Sequence, residues 1–217
     1  SSDQKAKLTK GPITGHLVSQ TLPGVVGVAA IMSIGLVDAY FIGKLGSEQL
    51  AAISFIFPVS VALSSLGVGV MVGINSVVSR ALGEGDEEKA ARRATLGIVF
   101  AFVFGLLLAA AVFALIDPLF ALMNAQDAIR PMIRTYMVPY AMGFPLLRLI
   151  MGLNGVLRAQ GEARRSSYVN ISYAIANWVR DPLLITGACG MDGFGIVGAA
   201  YATVAGWGVG LAFAIVM

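Results

Sequence analysis

Long apolar runs, broken by short charged stretches, set the pattern of this chain. Six of them are long enough to be helices crossing a bilayer, since about 20 apolar residues cover ~30 Å of hydrocarbon. They are predicted at about 17–42, 50–79, 94–116, 130–157, 166–187 and 195–217. The second carries no charge between Glu48 and Arg80, and the third none between Arg93 and Asp117. The fourth is interrupted by Pro131, Pro139, Pro145 and Arg148, and the fifth contains Arg180 and Asp181. Barrel strands would alternate every second residue, so runs of this length predict helices.

Composition agrees with that reading. Of 217 residues, 57% are hydrophobic and 12% charged, with a mean hydropathy of +0.82. Soluble domains carry about 25% charged residues, and one core could not hide this much apolar surface. A soluble enzyme is excluded. Cys189 is the single cysteine, so no internal disulfide is available. The net charge of +3 comes from scattered basic residues, which does not point to nucleic acid. The first apolar run is too long for a signal peptide.

Basic residues set the expected orientation. With the N-terminus in the cytoplasm, ten fall inside: Lys5, Lys7, Lys10, Arg80, Lys89, Arg92, Arg93, Arg158, Arg164 and Arg165. Only Lys44, Arg130 and Arg134 fall outside, and Arg148 and Arg180 lie within spans. The acidic run from Glu84 to Glu88 reads as a turn whose acids favour the start of the third helix.

Ionisable groups inside a membrane are costly and mark function by default. Asp38 and Asp181 fall roughly 7–9 Å from the same surface at 1.5 Å per residue. Asn177 is one turn from Asp181, and Thr203 lies at ~12 Å depth. Two carboxylates, an amide oxygen and a hydroxyl can hold Na⁺, or burial and repulsion can keep a proton on one carboxylate. The plain structural alternatives are that Asp38 caps a loop, that Asp181 pairs with Arg180, or that Pro182 kinks the helix. Gly193-Phe-Gly195-Ile-Val-Gly198 spells a dinucleotide fingerprint but lacks the strand and acid that motif needs. It reads as a turn with close packing. Gly69/Gly73 and Gly206/Gly210 have helix-packing spacing.

Several stretches, in order along all six spans, resemble the N-terminal lobe of multidrug and toxic compound extrusion (MATE) transporters. They are Leu22-Pro23, Gly35-Leu-Val-Asp38-Ala-Tyr-Phe-Ile-Gly43-Lys-Leu-Gly46, Gly73-Ile-Asn-Ser76 and Arg80-Ala-Leu-Gly-Glu-Gly-Asp86. Asn154-Gly-Val-Leu-Arg158-Ala-Gln-Gly161, Asn177-Trp-Val-Arg-Asp181-Pro182 and Gly198-Ala-Ala-Tyr-Ala-Thr203 complete the set. The resemblance is closest to the branch called DinF-like.

That resemblance implies an all-α integral membrane protein: one domain, 1–217, forming one lobe of a twelve-helix transporter in the inner (plasma) membrane. It implies efflux of organic, often cationic, compounds against H⁺ or Na⁺, with no enzymatic chemistry and no cofactor beyond the coupling ion. By the same resemblance Asp38, Asn177, Asp181 and Thr203 bind the cation, either H⁺ or, as the one metal considered, Na⁺ at Asp38 and Asp181. Tyr136 and Asn154 line the substrate cavity, and Pro23 is the hinge of the first helix. Arg180 departs from the apolar residue expected before the aspartate. The expected partners are small organic molecules, lipid, and a second lobe supplied by the rest of a longer gene product or by a second copy; a fragment is the favoured expectation. Rival readings are a flippase for lipid-linked precursors, which would need a strongly basic cavity, an intramembrane aspartyl protease, whose Tyr-Asp and Gly-x-Gly-Asp signatures are missing, and a half-lobe that does not transport.

Overall fold

Seven α-helices make up the computed structural model, which describes residues 13–187 and 193–216. They are α1 (Ile13–Gly43), α2 (Ser47–Gly83), α3 (Glu87–Leu122), α4 (Arg130–Met142), α5 (Phe144–Ala159), α6 (Ala163–Leu184) and α7 (Ile196–Val216). Lys5, Lys7, Lys10, Cys189 and Met217, weighed above, lie outside the described residues.

The six-span expectation is revised. Length and composition qualify four helices to cross a membrane: α1 over Thr21–Gly43, α2, α3 and α7. A fifth span follows if α4 and α5 are one crossing, bent by 47°. The span expected at 130–157 is therefore two helices meeting at Gly143. Pro145 has no N–H to donate to Ala141, so the helical ladder breaks there. A Cβ on Gly143 would come within 2.7 Å of the Trp207 ring, so α7 packs tightly against the bend. The span expected at 166–187 forms as α6, 22 residues long, yet falls short in apolar composition. The reason is a polar stripe: Ser166, Ser167, Asn170, Asn177 and Asp181 are all buried in the bundle.

Packing follows from that stripe. α6 lies between α1 and α7; α7 also meets α4 and α5, and α5 sits against α2 and α3. Core residues concentrate on α4–α7, including Tyr136, Met137, Phe144, Ile150, Val169 and Trp207. By contrast α1, α2 and α3 leave large apolar side chains exposed, among them Met32, Leu36, Phe57 and Leu107. In water such faces would drive aggregation, whereas lipid or another apolar surface covers them without penalty.

Helices α2 and α5 end by the same device. A residue at positive φ turns the chain, and the N–H after it returns to a carbonyl five residues back. Gly85 (φ 78°) lets Asp86 N–H reach Ala81, and Gly161 (φ 76°) lets Glu162 N–H reach Leu157, at 3.2 and 2.9 Å. Asp86 then caps α3, accepting from Lys89 N–H at 2.9 Å, and Glu87 and Glu88 occupy the first turn as the dipole argument expects. The ammonium of Lys89 beside Glu84 holds that carboxyl below its ordinary value.

Candidate cation site in the helix bundle

α6 presents its buried face at the spacing of one helix stripe, and Asn177 and Asp181 are four residues apart on it. Both are completely buried. With the Asn177 amide oriented to satisfy its neighbours, its N–H₂ donates to Asp181 Oδ2 at 3.0 Å and its oxygen accepts from Thr203 N–H at 3.3 Å. Thr203, on α7, donates its hydroxyl to Ala199 C=O at 3.0 Å and keeps lone pairs free. From α1, Asp38 brings its carboxyl within hydrogen-bonding reach of Asp181. One oxygen, Oδ1 of Asp38, is buried with no partner. Tyr136, on α4, is buried within electrostatic reach of both aspartates.

The four side chains expected to form one site thus lie together. Their division of labour differs from a simple ring of ligands. Asn177 spends its amide donor on Asp181 and its oxygen on the α7 backbone, so it orients the carboxyl. The free oxygens are those of Asp38, Asp181 and Thr203. Two carboxyls in contact cannot both be ionised and alone. Like charges ~4 Å apart repel by about 4 kcal/mol at an effective dielectric near 20. A proton or a small cation between them removes that repulsion. Among the described residues no group of three or more His, Cys, Asp or Glu side chains gathers, and the donor set is all oxygen, which suits hard cations.

The cap and ion-pair alternatives fail on geometry. Asp38 is inside α1 and caps nothing. Among the described residues Arg180 makes no salt bridge with Asp181, and its Nη1 is buried without a hydrogen-bond partner. α6 continues past Pro182 to Leu184.

Asn154 is not beside the carboxylates. Its Nδ2 donates to Asn170 on α6 at 3.0 Å, and its Oδ1 has no partner. Pro23 lies within α1, and its carbonyl accepts from Ser167 Oγ at 2.5 Å. Asn170 and Ser167 went unremarked in the sequence, although their spacing of 7 and 10 residues from Asn177 puts them on the same buried stripe. The glycine fingerprint opens α7 as a turn: Gly195 has φ 61°, and a Cβ on Gly198 would lie 1.9 Å from Leu184 C=O. Gly69 and Gly73 pack against nothing within 4 Å, so their spacing makes no contact among the described helices.

The profile of the MatE family matches residues 23–183. The chain belongs to that family, the MATE transporters. The FAD transporter of Shewanella oneidensis is 37% identical over 204 residues, 94% of this chain and 45% of the relative. The multidrug export protein MepA of Staphylococcus aureus is 28% identical over 195 residues, 89% of this chain and 42% of the relative. The outward-facing structure of a multidrug resistance MATE transporter of the MOP superfamily superposes with a TM-score of 0.90 at 28% identity, covering 99% of this chain and 47% of that one. The chain therefore spans about half the length of the relatives it matches. MATE proteins are membrane transporters and not enzymes, which removes the aspartyl-protease reading.

Proposed function

We propose that this chain forms one lobe of an ion-coupled exporter of small organic molecules, with H⁺ or Na⁺ held between Asp38 and Asp181. The observation that carries the proposal is the contact between those two carboxyls, one from α1 and one from α6, inside the bundle. When the cation leaves, the two charges repel and α1 is pushed from α6. When it returns, α1 can close on α6. The bound ion thus biases a two-state element through its different affinity for the two arrangements. Pro23, whose missing N–H weakens the α1 ladder, is the point at which that helix bends. The ten-to-three distribution of basic residues favours a cytoplasmic N-terminus in a plasma membrane, and the second lobe is supplied by the rest of a longer product or by another copy. The pair of acids in the lobe favours the DinF-like branch.

A second substrate reading is favoured by the 37% identity to an FAD transporter, against 28% for the multidrug exporter. Under it the exported solute is a flavin dinucleotide or a similarly anionic molecule. Dye and FAD efflux from proteoliposomes under an imposed pH or Na⁺ gradient tests both readings. Gradient-driven efflux that disappears in Asp181→Asn is the expected result. Efflux unchanged in that variant would overturn the cation site.

A further inference from the structure

A second charged group is buried in this lobe, and no described residue neutralises it. Arg148, on α5, has no exposed surface and makes no salt bridge among the described residues. Its Nη2 donates to Leu63 C=O on α2 at 2.7 Å, its Nη1 faces Met151 sulfur at 3.3 Å, and its Nε has no partner. Guanidinium is always protonated, and a charge removed from water without a counter-charge is costly. The sequence nevertheless makes room for it. A Cβ on Gly67 would fall 2.0 Å from Nη1, and one on Gly105 would fall 3.0 Å from Arg148 Cγ. Beside it, the Tyr140 hydroxyl lies in hydrogen-bonding reach of Ser60 and Ser64 on α2. Tyr140 in turn stacks on Tyr136 with ring centroids 5.5 Å apart, which makes this cluster continuous with the carboxylate site.

We propose that Arg148, with Tyr140, Ser60 and Ser64, forms an anion subsite for the phosphate group of the transported solute. It rests on the second substrate reading above and gives that reading its residues. A guanidinium with an unused donor beside the Tyr140 hydroxyl, which Ser60 and Ser64 reach in turn, is the chemistry that recognises a phosphate oxyanion. One interhelical hydrogen bond, to Leu63 C=O, holds the guanidinium against α2. Its exchange for phosphate oxygens, as α2 parts from the bent α4–α5 pair, opens the subsite. The cation at Asp38–Asp181 and the anion at Arg148 then occupy the two ends of one polar path.

Binding of FAD, riboflavin and inorganic pyrophosphate to the purified protein in non-ionic detergent tests this without requiring transport. FAD is expected to bind about tenfold or more tightly than riboflavin, the worth of a charge-assisted hydrogen bond, with pyrophosphate competing against it. Arg148→Gln should remove that preference while leaving riboflavin binding unchanged, and Arg148→Lys should restore part of it. Should Arg148→Gln fail to fold, Tyr140→Phe should lower the preference severalfold. An FAD preference equal in wild type and Arg148→Gln, or no pyrophosphate competition, would overturn the subsite and leave the cation site untouched. In phosphatidylcholine vesicles, added phosphatidylglycerol should leave the preference intact. Its loss there would assign the oxyanion to a lipid headgroup and overturn the solute assignment.

Discussion

Asn177 donates an amide hydrogen to Asp181 one turn further along α6, and the same amide accepts from the Thr203 backbone on α7. One side chain therefore fixes the carboxyl and ties two helices. A hydrogen bond to a charged acceptor contributes about 1.5–3 kcal/mol. Asn177→Ala should raise the ion concentration that half-saturates efflux by about tenfold or more. Gradient-driven dye efflux, titrated against Na⁺ and against H⁺, checks this. An unchanged half-saturation for both ions would mean that Asn177 only packs.

Glycine positions separate close packing from open space. A Cβ at Gly198 meets the Leu184 carbonyl at 1.9 Å, and one at Gly67 meets Arg148 Nη1 at 2.0 Å and Met151 sulfur at 2.4 Å. Forced overpacking costs about 1–3 kcal/mol. Gly198→Ala should be the more damaging, because backbone cannot swing aside as a side chain can. Gly69→Ala meets nothing within 4 Å and should unfold at the wild-type temperature. Thermal unfolding in detergent ranks the three.

Much of this was legible in the sequence, and the rest was hidden for physical reasons. Depth along the helices put Asp38 and Asp181 at one level, but only the packing of α1 on α6 could bring them into contact. Prolines at 139 and 145 signalled an interruption, whereas the 47° bend needs Gly143 against Trp207 as well. The six-span count is not reached at α6, because its Ser and Asn residues, with Arg180 and Asp181, lower its hydropathy. Their spacing, at 166, 167, 170 and 177, was readable as one face. The burial of Arg148 was not: an arginine within a span snorkels or hides according to its neighbours, and Gly67 and Gly105 lie 81 and 43 residues away.

Ser167 bonds α1 at Pro23, the proposed hinge. Its hydroxyl reaches both Ala163 C=O on its own helix and Pro23 C=O on α1, at 2.9 and 2.5 Å. Removing it takes away a bond of roughly 1 kcal/mol, enough to shift a two-state balance about fivefold. Ser167→Ala should therefore move the population towards a detached α1, seen as a longer distance between spin labels on α1 and α6. Pro23→Ala should narrow that distance distribution, because an intact helical ladder resists bending. No change in either variant would remove the hinge from the cycle.

The two aspartates should behave as one unit. If a single cation bridges Asp38 and Asp181, then neutralising either carboxyl already destroys the pair. Groups that act together give grossly non-additive losses. Asp38→Asn and Asp181→Asn should each abolish gradient-driven efflux, and the double variant should be no worse than either. Either amide can still hydrogen-bond its neighbour, so unfolding temperatures should hold or rise once the buried repulsion is gone. Independent sites would instead show two partial losses that add. Measuring efflux for the four proteins of this cycle, under a pH gradient and then a Na⁺ gradient, separates those outcomes. The gradient that still drives the wild type names the coupling ion.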